Sequence, residues 1–313
     1  MEQRIQAGFE SQNAVFWMPV KNLLRWPSFI RHQEAFKVRA ITTKKPSIPI
    51  FVSHRWIDTN FPDPKGNQRH IIIRFLIEAI CLSRGICERF FSYAEPEIVL
   101  NPRLKRQIKN HQPDWAARWR HDDDPLSLLQ PKETTEVLLA RWLHENFPYL
   151  VFETKELMAI GEVLNDIGIW YDYTCIPQKP FTSELERLYF EWSLTKLTSV
   201  IKGSNALIIW DKQANDRGWC LLEGMMAENE RIASYDATPN TNWKVAVFDL
   251  GQGYPDLHPN KQIALHLRQL IKELTPKDSQ QLQAHFEKKQ ITCTREEDFD
   301  VVCKLISEYL AQT

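Results

Sequence analysis

Several things are scarce or missing in this sequence. Glycine is one, with 10 residues in a chain of 313, so a glycine-rich loop cradling a phosphate is not expected. No two cysteines stand as a C-x-x-C pair. Cys81, Cys87, Cys175, Cys220, Cys293 and Cys303 are scattered, which argues against structural zinc and fits reduced, mostly buried thiols. Neither sign of charge is in surplus. Lys plus Arg is 39 and Asp plus Glu 40, a net charge of −1, which argues against broad electrostatic binding of nucleic acid. No apolar run approaches the ~18 residues of a membrane span, and Glu2 and Arg4 stand where a secretory leader would begin. The expectation is a cytoplasmic protein with no membrane or nucleic-acid partner and no metal.

What is present is an ordinary globular composition, 43% hydrophobic and 25% charged, with 11 tryptophans. A mass of 36.9 kDa allows two domains, or one large α/β domain with insertions. Residues 1–47 mix Phe16, Trp17, Trp26, Phe29 and Phe36 with basic residues and close on the turn-like Lys44-Lys45-Pro46-Ser47. They read as an N-terminal extension packed on a main domain, 48–313. Residues 95–150 carry six prolines, a basic run at 103–106 and Asp122-Asp123-Asp124, and read as a mostly helical insertion. A solvated turn with a helix cap explains His121-Asp122-Asp123-Asp124 better than a metal site, because the carboxylates lack spaced partners.

Four short apolar runs, 48–53, 167–171, 205–210 and 244–248, read as buried strands, and 290–293 as a short fifth. Between and after them, 71–82, 153–166, 183–202, 219–231, 261–274 and 298–310 read as helices. Ser183 and Glu186 make a capping-box pattern. Alternating strands and helices imply a parallel sheet with helices on both faces. Such sheets bind ligands at the carboxyl ends of their strands. Three polar clusters stand at those ends: Ser53-His54-Arg55-Trp56; Asp172-Tyr173-Thr174-Cys175-Ile176-Pro177-Gln178; and Arg217-Gly218-Trp219-Cys220-Leu221-Leu222-Glu223.

With these clusters the sequence resembles the TIR (Toll/interleukin-1 receptor) superfamily, over roughly 48–60 and 165–250. Phe51-Val52-Ser53-His54-Arg55-Trp56 is similar to the V-F-L-S-F-R-G-type opening of plant TIR domains. The run 217–223 is similar to the S-x-W-C-L-x-E-L motif, whose Glu is the catalytic residue of NAD-cleaving members. Residues 171–178 also resemble the W-I-D-x-x-C-I-x-Q stretch of fungal heterokaryon-incompatibility domains, which are TIR-like in fold. The sequence departs from the family in the long stretch between its first two strands, in residues 1–47, and in His54 and Trp56, which replace the usual Phe and Gly.

The resemblance implies a flavodoxin-like parallel sheet of about five strands and cleavage of the nicotinamide–ribose bond of NAD+, with NAD+ as substrate and no cofactor. The product would be ADP-ribose, or a cyclic or conjugated form. Nicotinamide leaves as a neutral group, so the chemistry needs chiefly a carboxylate beside an oxocarbenium-like ribose. Glu223 takes that role by resemblance. Ser53, His54, Asp172, Tyr173 and Cys220 would border the substrate. Arg55 or Arg217 would pair with its diphosphate, and Trp56 or Trp219 would stack on a ring. Each has a plainer reading: packing for the tryptophans, an ion pair for Arg217, a helix cap for Asp172, a strand-end partner for Ser53, an exposed carboxylate for Glu223. The role implied is immune (anti-phage) or cell-death signalling through self-assembly, with a downstream protein sensing the product. Two alternatives remain: a non-catalytic assembly adaptor, and a cysteine hydrolase using Cys175 or Cys220 with His54. A dehydrogenase is disfavoured, because Gly251-Gln252-Gly253 lacks the third fingerprint glycine.

Overall fold

The apolar runs become strands of one sheet in a computed structural model that describes residues 14–54, 56, 61–86, 106–108, 110, 133–148, 150–210, 214–236, 245–249, 261–274, 279–293 and 298–311. The strands are β1 Met18–Pro19, β2 Ile48–Ser53, β3 Ile167–Trp170, β4 Asn205–Trp210 and β5 Val245–Asp249. Across the sheet they run in the order β1-β3-β2-β4-β5. β3, β2, β4 and β5 are parallel, with Ile50 opposite Ile169 on one side and Asn205 on the other. β2 and β3 are buried at every position, which is why they read as continuous apolar runs rather than alternating ones.

The helices are α1 Val20–Arg25, α2 His32–Lys37, α3 Asn67–Arg84, α4 Thr135–Asn146, α5 Thr154–Leu164 and α6 Asp172–Cys175. They continue as α7 Glu184–Gly203, α8 Gly218–Asp236, α9 Lys261–Leu274, α10 Ser279–Lys288 and α11 Phe299–Leu310. α3 is bracketed by Gly66 and Gly85, both at positive φ (71° and 65°), a backbone that glycine adopts without the Cβ penalty. At the start of α7, Ser183 Oγ accepts from the Glu186 N–H at 3.2 Å. The Glu186 carboxyl does not complete a box with Ser183; it accepts from the N–H and the hydroxyl of Thr182, both at 2.7 Å.

The path from β2 to β3 moves one way across the sheet, and the path from β3 over β2 to β4 moves the other way. Right-handed crossovers place such connections on opposite faces. α7 and α8 follow the second direction and pack on each other. The reversal falls between β2 and β4, the kind of switch point beside which ligands of open α/β sheets bind.

Two readings change. The stretch 290–293 does not add a strand to the sheet: Thr292 makes an isolated parallel bridge to Arg217. The fifth strand is β1, antiparallel along the edge of β3, with Met18 opposite Ile169. It is only two residues long and contains Pro19, which an edge strand tolerates, so it leaves no strand pattern in the sequence. The surrounding segment shares one core with the rest of the described chain through Phe16, Trp17, Met18, Val20, Leu23 and Phe29. At the other end of the expected insertion, α4 buries Leu138, Leu139, Trp142 and Leu143 and packs on α5 and α1. Residues 121–124 and 251–253 lie outside the described residues. Among the described residues no helix is long and apolar enough to cross a membrane.

Candidate functional site

The carboxyl ends of β2 and β3 and the helix after β4 bring three sequence clusters together. β2 ends at Ser53, and His54 follows directly. β3 hands over through Tyr171 to α6, which begins at Asp172. α8 presents Cys220 and, three residues on, Glu223 on one face. Cys220 Sγ reaches the His54 carbonyl at 3.5 Å, which turns this face of α8 toward the end of β2.

His54 is buried and stacks on Tyr171, centroids 3.9 Å apart and planes 13° from parallel. Tyr171 stacks on Phe29 from its other side at 3.6 Å and donates its hydroxyl to Gln68 Oε1 at 2.7 Å. A three-ring sandwich thus fixes the imidazole plane. His54 Nε2 lies 3.3 Å from Asp172 Oδ1, off the line of a good hydrogen bond. Among the described residues neither ring nitrogen has a hydrogen-bond partner.

Asp172 is held by directional donors. The Trp56 indole N–H donates to Oδ2 at 3.0 Å, and the Tyr173 backbone N–H donates to Oδ1. The turn carrying Asp172 is tied from behind, where Gln178 Nε2 donates to the carbonyls of Asp172 (3.1 Å) and Ile176 (3.0 Å). Trp56 and Phe61 both meet the Tyr173 ring edge-on. Trp56 and Tyr173 therefore stand beside Asp172, one as its hydrogen-bond donor and the other as the adjoining aromatic wall.

Glu223 is in a different environment. It is 8% exposed. Burial, with the nearby charge of Asp172 adding to it, pushes its carboxyl well above the ordinary glutamate range. The Ser53 hydroxyl lies near enough to ease its ionisation. Ser53 Oγ nevertheless has no well-aligned hydrogen bond among the described residues. Burial pushes the His54 imidazole down, against the pull of Asp172, the Val52 carbonyl and Asp63, so His54 is neutral at neutral pH. Two carboxyl groups with unlike surroundings, a neutral imidazole and the Ser53 hydroxyl thus share one corner at the switch point.

The chain matches no family model, no curated protein and no solved structure.

The other expected residues stand elsewhere or outside the description. Arg217 is locked by the bridge to Thr292, through Gly218 N to Thr292 O (2.9 Å) and Thr292 N to Asp216 O (2.8 Å). Its guanidinium donates to Thr292 Oγ1 at 3.4 Å. Trp219 donates its indole N–H to Asp298 Oδ2 at 3.3 Å. Both side chains thus engage the C-terminal segment, and the structure does not join them to the Asp172–Glu223 corner. Arg55 lies outside the described residues.

The thiols do not form the cysteine–histidine pair of the hydrolase reading. Cys175 donates to the Ile169 carbonyl at 3.5 Å, and burial pushes it up to about 12. Cys220 meets the backbone of His54 rather than its ring. Among the described residues no group of three or more His, Cys, Asp or Glu side chains is placed to hold a metal ion.

Sequence reasoning passed over Asp63 in the loop before α3 and Gln68 in its first turn, and over Gln33 and Arg31 at the start of α2. Asp63 is fully buried and caps α3 by accepting the Arg69 N–H at 2.9 Å. Gln33 and Arg31 both donate to the Gln178 carbonyl at 2.7 Å. No short motif marks these residues: Gln68, Gln33 and Arg31 meet partners more than a hundred residues away, and Asp63 caps α3 from outside the usual capping position.

Proposed function

We propose that this chain is a TIR-like enzyme that cleaves the nicotinamide–ribose bond of NAD+, yielding ADP-ribose or a cyclic or conjugated ADP-ribose. The observation that carries the reading is Glu223: a buried carboxyl beside Ser53 and Asp172, at the sheet's switch point, in the sequence context where NAD-cleaving TIR domains keep their catalytic glutamate. The strand order supports it as well. Leaving out the edge strand β1, the parallel strands stand in the chain order 2-1-3-4, the beginning of the flavodoxin-like order.

In this reading NAD+ is substrate and there is no cofactor. The pyridinium ring enters as a cation and lowers the cost of ionising Glu223, because an opposite charge a few ångströms away favours the charged form. The C1′–N bond breaks with its electron pair on nitrogen, and nicotinamide departs neutral. Glu223 stabilises the positive charge left on the ribose. Attack at C1′ by water gives ADP-ribose and a proton, attack from within the molecule gives a ring, and another acceptor gives a conjugate. In this reading Trp56 and Tyr173, in contact beside Asp172, are the aromatic groups that the leaving ring packs against. By the same resemblance the enzyme works in the cytoplasm in immune or cell-death signalling, is active when self-assembled, and signals to a protein that senses its product.

The test is purified protein with NAD+, dilute and crowded, read by mass-resolved chromatography beside Glu223→Gln. We expect nicotinamide release to fall about 10²-fold or more in the variant. Equal release by both proteins, or none under any assembled condition, overturns the reading. The adaptor alternative draws on one observation, that Arg217 and Trp219 are committed to the C-terminal segment rather than to a substrate. It takes over if no nicotinamide appears.

A further inference from the structure

Glu223 rides on α8, so the place of its carboxyl depends on what fixes that helix. On the sheet side, Cys220 Sγ reaches the His54 carbonyl at 3.5 Å. A thiol is a weak hydrogen-bonding group. The more directional ties come from the far end of the chain.

Thr292 clasps the turn ahead of α8 through its backbone. Its carbonyl accepts the Gly218 N–H at 2.9 Å, and its own N–H donates to the Asp216 carbonyl at 2.8 Å. The first N–H groups of a helix have no partner within it, and Thr292 supplies one. The Arg217 guanidinium adds a bond to Thr292 Oγ1 at 3.4 Å. Two residues further on, the Trp219 indole N–H donates to Asp298 Oδ2 at 3.3 Å. Asp298 stands directly before α11, and α11 packs along α8. Near the other end of that contact the Tyr309 hydroxyl donates to the Met226 carbonyl at 3.4 Å. The fit is close. A Cβ on Gly218 would come within 3.1 Å of Cys293 Sγ and 3.2 Å of Val302 Cγ1.

Gly218 and Glu223 are five residues apart on one helix, about 7.5 Å along its axis. A slide or roll at the first turn is therefore carried to the Glu223 carboxyl. Misplacing a reacting group by 1 Å can cost about 10²-fold in rate.

We propose that Asp298 and Thr292 are positioning residues for Glu223. The C-terminal segment, from the Thr292 clasp through α11, sets the height and roll of α8 and with them the place of the carboxyl. The proposal rests on the NAD+ reading, in which Glu223 must face C1′ of the ribose. It gives Arg217 and Trp219 the task of holding the helix in place of touching substrate.

The experiment measures nicotinamide release from NAD+ by wild type, Asp298→Ala, Asp298→Asn and Gln283→Ala. Hydrogen exchange of peptides covering residues 217–225 is followed in the same proteins. Asp298→Ala removes the acceptor of the Trp219 indole. Its kcat should fall about tenfold with KM within about twofold of wild type, and exchange over 217–225 should quicken. Asp298→Asn keeps an oxygen acceptor and should stay within about threefold of wild-type kcat. Gln283 donates to Asp300 Oδ1 at 2.9 Å, from α10 to α11. Gln283→Ala loosens the same segment away from α8 and should leave kcat unchanged. Trp219→Phe removes the donor and keeps a ring. It should repeat the loss of kcat, and it decides if Asp298→Ala does not fold.

Wild-type kcat in Asp298→Ala overturns the proposal and leaves the NAD+ reading standing. So does a rise in KM at unchanged kcat, which would place Asp298 and Trp219 in substrate binding. An equal loss in Gln283→Ala overturns it too, since general loosening would then explain the effect. No nicotinamide from wild type under any assembled condition overturns both readings.

Discussion

A carboxyl group buried at 8% exposure has a consequence for stability that is independent of catalysis. Folding raises the Glu223 carboxyl well above its ordinary value, chiefly by burial. The native chain therefore keeps a proton that the unfolded chain gives up near the ordinary glutamate value. The stability this represents is complete below that value and is lost as pH rises toward the raised one, by at most about 1.4 kcal/mol per pH unit. Glu223→Gln has nothing to ionise. In paired thermal melts the variant should gain on wild type as pH goes from 5 to 9. A difference in Tm that is independent of pH would mean that Glu223 titrates normally. At this scale the sequence was legible where the candidate side chains follow directly on strand ends. Ser53, His54, Trp56 and Asp172 stand together because each lies at or within three residues of the end of a parallel strand, whereas Glu223 joins them from inside α8. Arg217 and Trp219 share the same motif yet turn to Thr292 and Asp298. That pairing spans more than seventy residues of chain and leaves no local trace.

The elements around the site are held by a segment that the sequence marked only as an extension. Phe29 lies flat on Tyr171 at 3.6 Å. Thr174 donates its hydroxyl to the Ile30 carbonyl at 2.8 Å, and His32 Nδ1 is 3.1 Å from the Thr174 carbonyl. Arg31 and Gln33 share the Gln178 carbonyl. Residues 29–33 thus touch the chain on both sides of Asp172. Phe29→Ala should cost about 3–5 kcal/mol by urea unfolding, and should raise protease sensitivity near residues 171–178 first. Gly168 on β3 gives a sharper case. A Cβ there would come within 2.6 Å of Pro46 Cγ and 2.8 Å of Pro46 Cβ, and a proline ring has little room to move. Gly168→Ala should destabilise by about 1–3 kcal/mol; a neutral result would show that Pro46 does not seal this strand. β2, β3 and β4 were readable because burial on both faces demands unbroken apolar runs. β1 was not, since two residues carry no periodicity, and 290–293 misled because a short apolar-polar run can end as a single bridge.

For the whole molecule, the buried ionisable groups set limits on stability from both sides of neutrality. His32 is 1% exposed, packed against the rings of Phe16 and Tyr189. Burial lowers it to about 4, against the Thr174 carbonyl and the charge of Glu186. A histidine lowered on folding stabilises the native state above its unfolded value of 6.5 and loses that contribution as pH falls toward 4. The span corresponds to at most about 3–4 kcal/mol. His54 is lowered too, by burial, and adds to the same acid limb. Glu223 and Glu78, both raised by burial, act in the opposite sense and erode stability as pH rises. The sum is a maximum between the two limbs, with the buried histidines and the lowered Glu186 carboxyl together on the acid side. Urea midpoints measured from pH 4 to pH 9 should trace this dome. His32→Asn keeps a donor near the Thr174 carbonyl but cannot take up the proton, so its acid limb should be shallower even though lost ring packing lowers its stability at pH 7. An acid limb as steep as wild type in that variant would assign acid unfolding to groups other than His32. Such a result would leave the ring packing and the contact with the Thr174 carbonyl as the contribution of His32 to the fold.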